Sequence, residues 1–348
     1  MDVQRRLTRR ELTAALAARQ GLIERERLTP VEAIRQLTPL QGQHPPAPFI
    51  ALAARLDGFS RADLEAAITA GAVVKTTIMR LTLHLAAADD YPAYAQLTRQ
   101  ARMRSWRKQY AHLDEERVTA ELSAWFAEPR DNAEIRERVG SDYDGVPPNP
   151  WGPIIFARTL LPLVQLPPAG HWSHSRGSQF VLAPQPLPHP ADAAALVLER
   201  YLAAFGPASR RDVAAWSGVA QRDFAWDRVE TVTYEDEHGT ELLDLPGAPL
   251  PPADTALPPR FLAHWDQPLL AYADRERIMA PEIQALQLTL SGDPTVTVDG
   301  RVAASWAIRD DVLAITPHAD LSRAQRKAVR EEAMRTARFC GAQAVSGL

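Results

Sequence analysis

Two glutamines separated by one residue stand in the stretch Thr38-Pro-Leu-Gln-Gly-Gln-His-Pro-Pro46. The carbonyl oxygens of Gln41 and Gln43 can hold a water molecule and turn the negative ends of their dipoles toward a positive charge that develops in a transition state. Neither amide can act as a strong base. Pro45-Pro46 denies the chain further helix at this point, so the glutamines are expected in a stiff turn. The alternative is that both are solvated loop side chains.

A second polar pattern lies between Val73 and Leu85. Arg80, Thr82 and His84 alternate there with apolar residues, and a period of two places the three polar side chains on one face of a strand. Arg80 has two interpretations, a contact to a phosphate or the cap of a nearby helix. Thr82 is expected to be structural. His84 either orients the glutamines, contacts a sugar-phosphate, or is a packing residue of its strand.

Gln41-Gly42-Gln43 followed by Arg80-Leu-Thr82-Leu-His84 resembles the winged helix DNA-binding domain family that contains the bacterial DNA glycosylases AlkZ and AlkX. Members of that family carry a glutamine, one spacer and a glutamine or aspartate, and then an Arg-x-Thr-x-His strand. This chain is similar to the Gln-x-Gln, AlkZ-like branch, although Gly42 departs from the usual apolar spacer. The resemblance extends through Tyr201 to Pro207, Trp216, and Trp265-Asp266 to Asp274-Arg275.

The resemblance implies hydrolysis of the N-glycosidic bond of N7-alkylated purines in DNA, extending to bulky or crosslinking adducts. N7-alkylated guanine carries a formal positive charge, so it leaves the sugar without a strong base while water approaches from the opposite side. The catalytic residues are then Gln41 and Gln43, and the supporting residues are Arg80, Thr82, His84 and His44. No lysine adjoins the glutamines, so we expect no strand cleavage through a Schiff base. General repair and self-resistance to an alkylating natural product are both compatible with these residues.

Binding is expected to come mainly from arginine contacts to the phosphates of double-stranded DNA. The window from Arg99 to Lys108 contains no acid, although such a run can also be a solvated face. Trp172, on a predicted wing, could enter a groove or stack on bases, and it could equally pack beneath its own hairpin. A hairpin turning at Asp299-Gly300 is another candidate. The predicted DNA-binding residues are Arg99, Arg102, Arg104, Arg107, Lys108, Trp172, His174, Arg176 and Arg301.

Composition restricts the class of protein. The 348 residues fit two or three domains, and 46% apolar with 24% charged residues is typical of a soluble globular protein. There is no apolar run long enough for a membrane span and no apolar signal core at the N-terminus, so the expected location is the cytoplasm, or the nucleoid when bound to DNA. The single cysteine, Cys340, excludes an internal disulfide and a thiolate zinc site. We expect no cofactor and no metal, and a monomer.

The elements that must position these residues are predicted from capping signals and periodicity. Three helices opened by Thr8, Thr29-Pro30 and Ser60, followed by two strands, give the plan of a winged helix. The plan returns from Asp114 and again from Ala191. The predicted strands are Val73-Val74, Arg80–Leu85, a wing at His171–Leu182, Leu286–Leu290, Val296–Val298, Arg301–Ile308 and Val312–Ile315, and a last helix is predicted over Leu321–Cys340.

The predicted fold class is therefore α+β, with tandem winged-helix (helix-turn-helix) units followed by a small C-terminal β-rich domain with a terminal helix. The predicted units are residues 1–98, which carry the glutamine motif, 99–186, 187–250 and 257–348. The main rival function is a non-enzymatic DNA-binding regulator, because winged helices belong to that class far more often. A metal hydrolase is disfavoured because no His-x-x-x-His or comparable spacing occurs.

Overall fold

The first quarter of the chain contains helices that begin at capping boxes. Thr8 accepts a hydrogen bond from the backbone N–H of Glu11, whose carboxylate accepts one from the N–H of Thr8 in return. The box satisfies two N–H groups that a helix leaves without partners, and it recurs at Thr29 and Ser60 as predicted. The computed structural model describes residues 3–175, 177–184 and 186–348. Its first elements are β1 (Val3–Arg6), α1 (Arg9–Arg19), α2 (Pro30–Leu37), β2 (Leu40–Gln41), α3 (Ala47–Arg55), α4 (Arg61–Thr69), β3 (Val73–Thr77) and β4 (Leu83–Ala87).

The proline pair after the glutamines opens a helix. The expectation that Pro45-Pro46 denies the chain further helix is wrong, because α3 starts directly after Pro46, with Pro48 in its first turn. The N–H groups of a first turn have no partner inside the helix, so proline loses no hydrogen bond there. Gln41 therefore ends a short strand, and Gln43 lies between that strand and the start of a buried helix.

The strand predicted over Arg80–Leu85 is interrupted at its start. Residues 79–81 form a single 3-10 turn, in which Arg80 and Leu81 have φ angles of 51° and 60°. A left-handed backbone at two successive residues ends the alternation of a strand. The prediction that Arg80, Thr82 and His84 share one strand face is therefore wrong, and only His84 lies within β4. The turn joins β3 to β4 as a hairpin.

A long helix, α5, connects the first region to the second and was not predicted. The predicted boundary between residues 98 and 99 falls inside this helix. The basic window of the sequence is thus a helical segment rather than a linker. The second region contains α5 (Tyr91–Gln109), α6 (Glu115–Trp125), β5 (Arg130–Asp131), α7 (Asn132–Asp142), α8 (Gly152–Leu160), β6 (Leu163–Gln165) and β7 (Gln179–Leu182).

The first two regions share one sheet of six strands in the order β2-β4-β3-β6-β7-β5. Antiparallel pairing of β3 with β6 joins them, with Thr76 opposite Val164. The predicted wing exists as the hairpin of β6 and β7, but His171 lies in its loop and not on a strand. The glutamine strand β2 is therefore at one edge of a sheet that both regions stabilise.

The third region repeats the helix–helix–hairpin order with fewer elements. It contains α9 (Pro190–Phe205), α10 (Arg210–Ser217), β8 (Val232–Glu235) and β9 (Glu241–Asp244). The N-terminal strand β1 pairs in parallel with β8 of this hairpin. Gly218 ends α10 with a φ of 73°, a left-handed conformation that glycine adopts without a steric penalty.

The C-terminal region is a five-stranded sheet covered by one helix. It contains β10 (Arg260–Leu262), α11 (Gln267–Leu270), α12 (Pro281–Gln284), α13 (Leu288–Ser291), β11 (Thr295–Val298), β12 (Arg301–Arg309), β13 (Val312–Pro317), α14 (Arg323–Cys340) and β14 (Ala344–Ser346). The hairpin at Asp299-Gly300 is confirmed, with positive φ at both residues. The strand predicted over Leu286–Leu290 is wrong, because that segment enters the short helix α13.

The main core is organised around α9, which contacts α1, α2 and α5. Tyr201, Phe205 and Trp216 are fully buried there. A second core lies between α3 and α14, so the C-terminal region supports the helix that follows the glutamines. No helix in the described part of the chain is long and apolar enough to cross a membrane.

Candidate active site

The two glutamines form a hydrogen-bonded pair. Gln41 is only 6% exposed at the end of β2, whereas Gln43 is exposed. The backbone N–H of Gln43 donates to Oε1 of Gln41 at 2.8 Å, and Nε2 of Gln41 donates to Oε1 of Gln43 at 2.5 Å. A backbone N–H can only donate, so the first bond fixes which end of the Gln41 amide is oxygen, and the second then fixes the Gln43 amide. The buried glutamine thus orients the exposed one.

Each carbonyl oxygen of the pair retains hydrogen-bonding capacity. An amide oxygen has two lone pairs, and the hydrogen bonds within the pair use one on Gln41 and one on Gln43. The spacer Gly42 donates its N–H to the carbonyl of Leu83 at 2.7 Å, which ties the motif to β4. A methyl group at Gly42 would meet only ordinary contacts of 3.6 Å, so alanine would also fit there.

His84 faces the glutamine strand from β4. It is paired directly opposite Gln41, so both side chains lie on the same face of the sheet. The ring is fully buried, and its Nδ1 lies 3.0 Å from the carbonyl oxygen of Thr82. Because a carbonyl only accepts, Nδ1 carries the proton, and Nε2 is a buried acceptor without a partner among the described residues.

Burial, and then the positive charge of Arg80, lower the pKa of His84 to about 3, while the hydrogen bond to Thr82 acts in the opposite direction. The imidazole is therefore neutral at pH 7. A neutral ring with its proton on Nδ1 cannot protonate a leaving base, so His84 can accept a hydrogen bond or orient a neighbour but cannot be the general acid.

The free energy of unfolding is expected to fall as the pH drops below 6.5, because unfolded His84 binds a proton that the folded protein excludes. For one such histidine, the free energy of unfolding falls by about 1.4 kcal/mol for each pH unit between its unfolded and folded pKa values. Denaturant titrations at pH 7 and pH about 5.5 measure the difference, and His84→Asn should reduce it by about 1 kcal/mol. A His84→Asn variant with the same pH dependence as the parent protein would contradict the buried neutral ring.

Arg80 lies on the 3-10 turn beside His84 and is exposed. Within the described residues its guanidinium has no hydrogen-bond or ion-pair partner, so the helix-capping interpretation lacks a bond to support it. The hydroxyl of Thr82 donates to the carbonyl of Met79 at 2.9 Å and closes the turn, which supports the structural interpretation of this residue.

His44 stacks on His264, with ring centroids 4.0 Å apart. Burial lowers the pKa of both rings, that of His264 to about 4, so both are neutral at pH 7. The stack connects the residue after Gln43 to the segment that follows β10. No local pattern in the sequence identifies His264 as part of the site.

The basic residues of α5 are largely engaged. Arg99 donates to the carbonyl of Leu160 and Arg102 donates to the carbonyl of Ile78, so both support the backbone. The other three predicted DNA contacts lie at the surface: Arg104 pairs with Asp223 at 2.8 Å, Arg107 pairs with Glu115 at 2.6 Å, and Lys108 is exposed. Of these three surface residues, Lys108 is the one that has no ion-pair partner among the described residues. The surface members remain predicted DNA contacts.

The predicted second wing presents a packed tryptophan. The Arg61 guanidinium lies 3.6 Å from the ring centroid of Trp172, and the edge of Phe49 closes another side. Trp172 is therefore packed, but against α3, α4 and Phe339 of α14 and not beneath its own hairpin, so that interpretation is wrong. His174 is half-buried, and Arg301 donates to the carbonyl of Glu276 at 3.3 Å. Arg176 lies outside the described residues.

The segment after β10 braces the glutamine motif and was missed as part of the site. Nε2 of the buried Gln267 donates to the carbonyl of Pro39, two residues before Gln41. Beside it, Asp266 forms a buried ion pair with Arg55 at 2.6 Å, at the end of α3. The segment was noted in the sequence only for its family resemblance, because contacts made more than 200 residues away leave no local pattern.

Comparison with known proteins gives concordant results. A model of the family described as "DNA glycosylase AlkZ-like" matches residues 34–339. The interstrand DNA cross-link repair glycosylase of Streptomyces sahachiroi is 32% identical over 175 residues, which are 47% of this chain and 47% of that protein. The match thus spans about half the length of the curated relative. The solved structure of the S. sahachiroi DNA glycosylase AlkZ has a TM-score of 0.82 at 23% identity, covering 99% of this chain and 100% of that one.

The structural likeness confirms the predicted α+β fold class with tandem winged-helix units. The family match includes both the glutamine pair and the His84 strand, and it confirms the resemblance inferred from these motifs. Since that match covers most of its length, the chain belongs to the AlkZ-like DNA glycosylase family.

Proposed function

We propose that this protein is a monofunctional DNA glycosylase that hydrolyses the N-glycosidic bond of N7-alkylated purines, including bulky adducts and interstrand crosslinks. The observation that carries the proposal is the amide pair in which buried Gln41 orients exposed Gln43. Family membership and the curated relative, an interstrand DNA cross-link repair glycosylase, favour the same activity. Its substrate is double-stranded DNA, on which it acts as a monomer in the cytoplasm.

The oriented carbonyls are suited to a deoxyribose that becomes cationic at its anomeric carbon. A water molecule held by the free lone pairs of Gln41 and Gln43 is directed at that carbon from the side opposite the departing base. The same two dipoles present their negative ends to the developing charge, and because they are already fixed they need no reorganisation during the reaction.

The chemistry restricts the leaving group. Gln41 and Gln43 cannot remove a proton from water before the bond breaks, and neutral His84 cannot protonate the base. A substrate must therefore have a base that leaves unaided. Guanine alkylated at N7 carries a positive charge that bond cleavage neutralises, whereas unmodified guanine does not.

Strand cleavage through a Schiff base would need a lysine at the glutamine pair. Lys75 is the first lysine that follows the motif in the sequence, and its position favours simple hydrolysis. Burial and then the charge of Arg158 lower the pKa of Lys75 to about 8, so it has a reactive amine in mildly basic solution. However, Lys75 is paired with Leu85 on β4, and alternation places it on the face opposite to His84. It is not positioned to attack a sugar held at Gln43.

A DNA-binding regulator without catalytic activity is the alternative that the fold alone would suggest. Family membership argues against it.

The test is release of N7-methylguanine from duplex DNA by the purified protein in buffer with a chelator. The parent protein is expected to release the base and leave an abasic strand that is uncut until heated in alkali. A variant carrying both Gln41→Ala and Gln43→Ala is expected to release none above background, with an unchanged thermal unfolding temperature. Equal release by the two proteins would refute the proposed site, and sequence-specific binding without release would favour the regulator.

A further inference from the structure

A cavity of about 350 Å³ lies between α5 and α8, beside the 3-10 turn that joins β3 to β4. Its walls come from these two helices, from the turn and from the end of α10. This volume is at the lower limit for a small-molecule site, a size at which one aromatic ring system fits. None of the residues assigned so far to the glutamine pair lines it.

Most of the lining is apolar and aromatic. Trp106 and Tyr110 of α5 and Phe156 of α8 line the cavity, and their ring centroids lie 4.9–5.4 Å from one another. Such a cluster presents ring faces and edges on which a further planar ring can pack. Leu81 and Ile155 also line the cavity although both are exposed, and apolar side chains exposed around an opening are typical of a ligand site.

The charges in the lining have one sign. Among the described residues, Arg80 and Arg102 line the cavity and no aspartate or glutamate does. Two buried donors in this lining, Nε of Arg102 and Nε1 of Trp106, have no partner within the described part of the chain. An unsatisfied buried donor is destabilising, and a ligand that carries acceptor oxygens would offset that cost. The lining therefore favours a neutral ring over a cationic one.

The 3-10 turn connects the cavity to the glutamine pair. The N–H of Gly42 donates to the carbonyl of Leu83, so Gln43 lies level with Thr82 on the neighbouring strand. Leu81, which lines the cavity, directly precedes Thr82. One or two residues of extended chain span about 3–7 Å, so a flexible link of a few bonds can join a base held at Gln43 to the cavity.

The end of α10 makes a second connection. Gly218 lines the cavity, and a Cβ atom there would lie 3.0 Å from Cγ of Arg80, so the two residues are in contact. In the same helix, Nε1 of Trp216 donates to Oε1 of Gln267 at 3.4 Å, and Nε2 of Gln267 donates to the carbonyl of Pro39. One buried glutamine therefore holds both the helix that ends at the cavity and the strand that carries the glutamine pair.

We propose that this cavity binds a neutral aromatic group of a bulky DNA adduct while the alkylated base lies at the glutamine pair. Burial of the ring would hold the damaged nucleotide in position and add affinity that a small alkyl group cannot supply. The inference deepens the proposed function, because it names the class of adduct. It also rests on that function, because it takes N7-alkylated DNA as the substrate.

The experiment compares two duplexes, each with one guanine that carries either a naphthylpropyl or a propyl group on N7. Both have the same link, and only the first has the ring. A fluorine on the sugar carbon next to the anomeric carbon disfavours positive charge there, so the adducts stay intact while Kd is measured. The preference is the ratio of the two Kd values.

Two variants fill the cavity. Ser105→Trp and Ala101→Phe place larger side chains one turn apart on the face of α5 that lines it. The matched control is Ser141→Trp, which changes an exposed helical serine of α7 outside the cavity lining. Thermal unfolding of each variant checks that it folds, and either filling variant can carry the test alone.

The parent protein is expected to bind the naphthylpropyl duplex about 30-fold more tightly than the propyl duplex, the effect of burying about 80 Å² of apolar surface. Each filling variant should reduce this preference to about threefold or less, because the ring and the new side chain cannot occupy the same volume. Ser141→Trp should retain the full preference.

Equal binding of the two duplexes by the parent protein would overturn the assignment. A preference that survives in the filling variants would overturn it as well, and an equal loss of affinity for both duplexes would assign the cavity to a base of the DNA itself. The binding measurements need no cleavage. A preference abolished by filling, without release of N7-methylguanine, would therefore retain the cavity and reject the glycosylase, whereas release without a preference would do the reverse.

Discussion

Gln43→Ala is expected to slow single-turnover release of N7-methylguanine by about 100- to 1000-fold, the effect of removing one preorganised dipole from a transition state. Gln43 is the exposed member of the pair, so its carbonyl is the one that meets water and sugar directly. Gln41→Ala should cost about 100-fold, because the remaining glutamine loses the bond that fixes its amide. Chromatographic quantification of free base over time measures both rates.

The matched control for these substitutions is Gln343→Ala, which removes an exposed glutamine from the C-terminal region. It should release base at the parent rate. The three variants should also unfold at nearly the same denaturant concentration, because within the described ranges neither Gln41 nor Gln43 bonds to any side chain beyond the pair. Parent-like release by Gln43→Ala would reject the catalytic role of the exposed amide.

Asp266→Ala is expected to lower the free energy of unfolding by about 3–5 kcal/mol, because it leaves the Arg55 guanidinium buried and unpaired. Arg55 is 2% exposed, and Asp266 also accepts the N–H of Ala263, so the carboxylate joins α3 to the segment after β10. Chemical denaturation followed by tryptophan fluorescence measures the loss.

Glu115→Ala is the control, because it breaks an exposed ion pair with Arg107 of similar length. That change should cost less than about 1 kcal/mol. A smaller loss for Asp266→Ala than for Glu115→Ala would mean that Arg55 finds another partner when the aspartate is removed, and that this ion pair does not anchor the glutamine-bearing region.

Local signals predicted much of this fold because capping chemistry acts over three or four residues. Ser209 with Asp212, and Asp131 with Glu134, begin helices where the sequence indicated. The 3-10 turn at Arg80 was not predictable. Polar and apolar residues alternate through this stretch, and neither Arg80 nor Leu81 is of a type that favours a left-handed backbone. Alternation alone therefore predicted a continuous strand there.

The candidate site was predictable only for the residues that belong to one stretch of chain. Gln41 and Gln43 were identified from their spacing, and their mutual hydrogen bonds follow from that spacing. Gln267 reaches the site from more than 200 residues away, where its amide donates to the carbonyl of Pro39. Such contacts are fixed by tertiary structure, so composition and periodicity contain no trace of them.

The parallel pairing of β1 with β8 has a consequence for synthesis of the chain. Arg6 and Glu235, which face each other across this pair, are 229 residues apart, so the first strand leaves the ribosome long before its partner exists. An unpaired strand edge is a template for association between chains. Two of the four residues of β1 are arginines. Their like charges disfavour pairing of the unpaired β1 strands of two nascent chains.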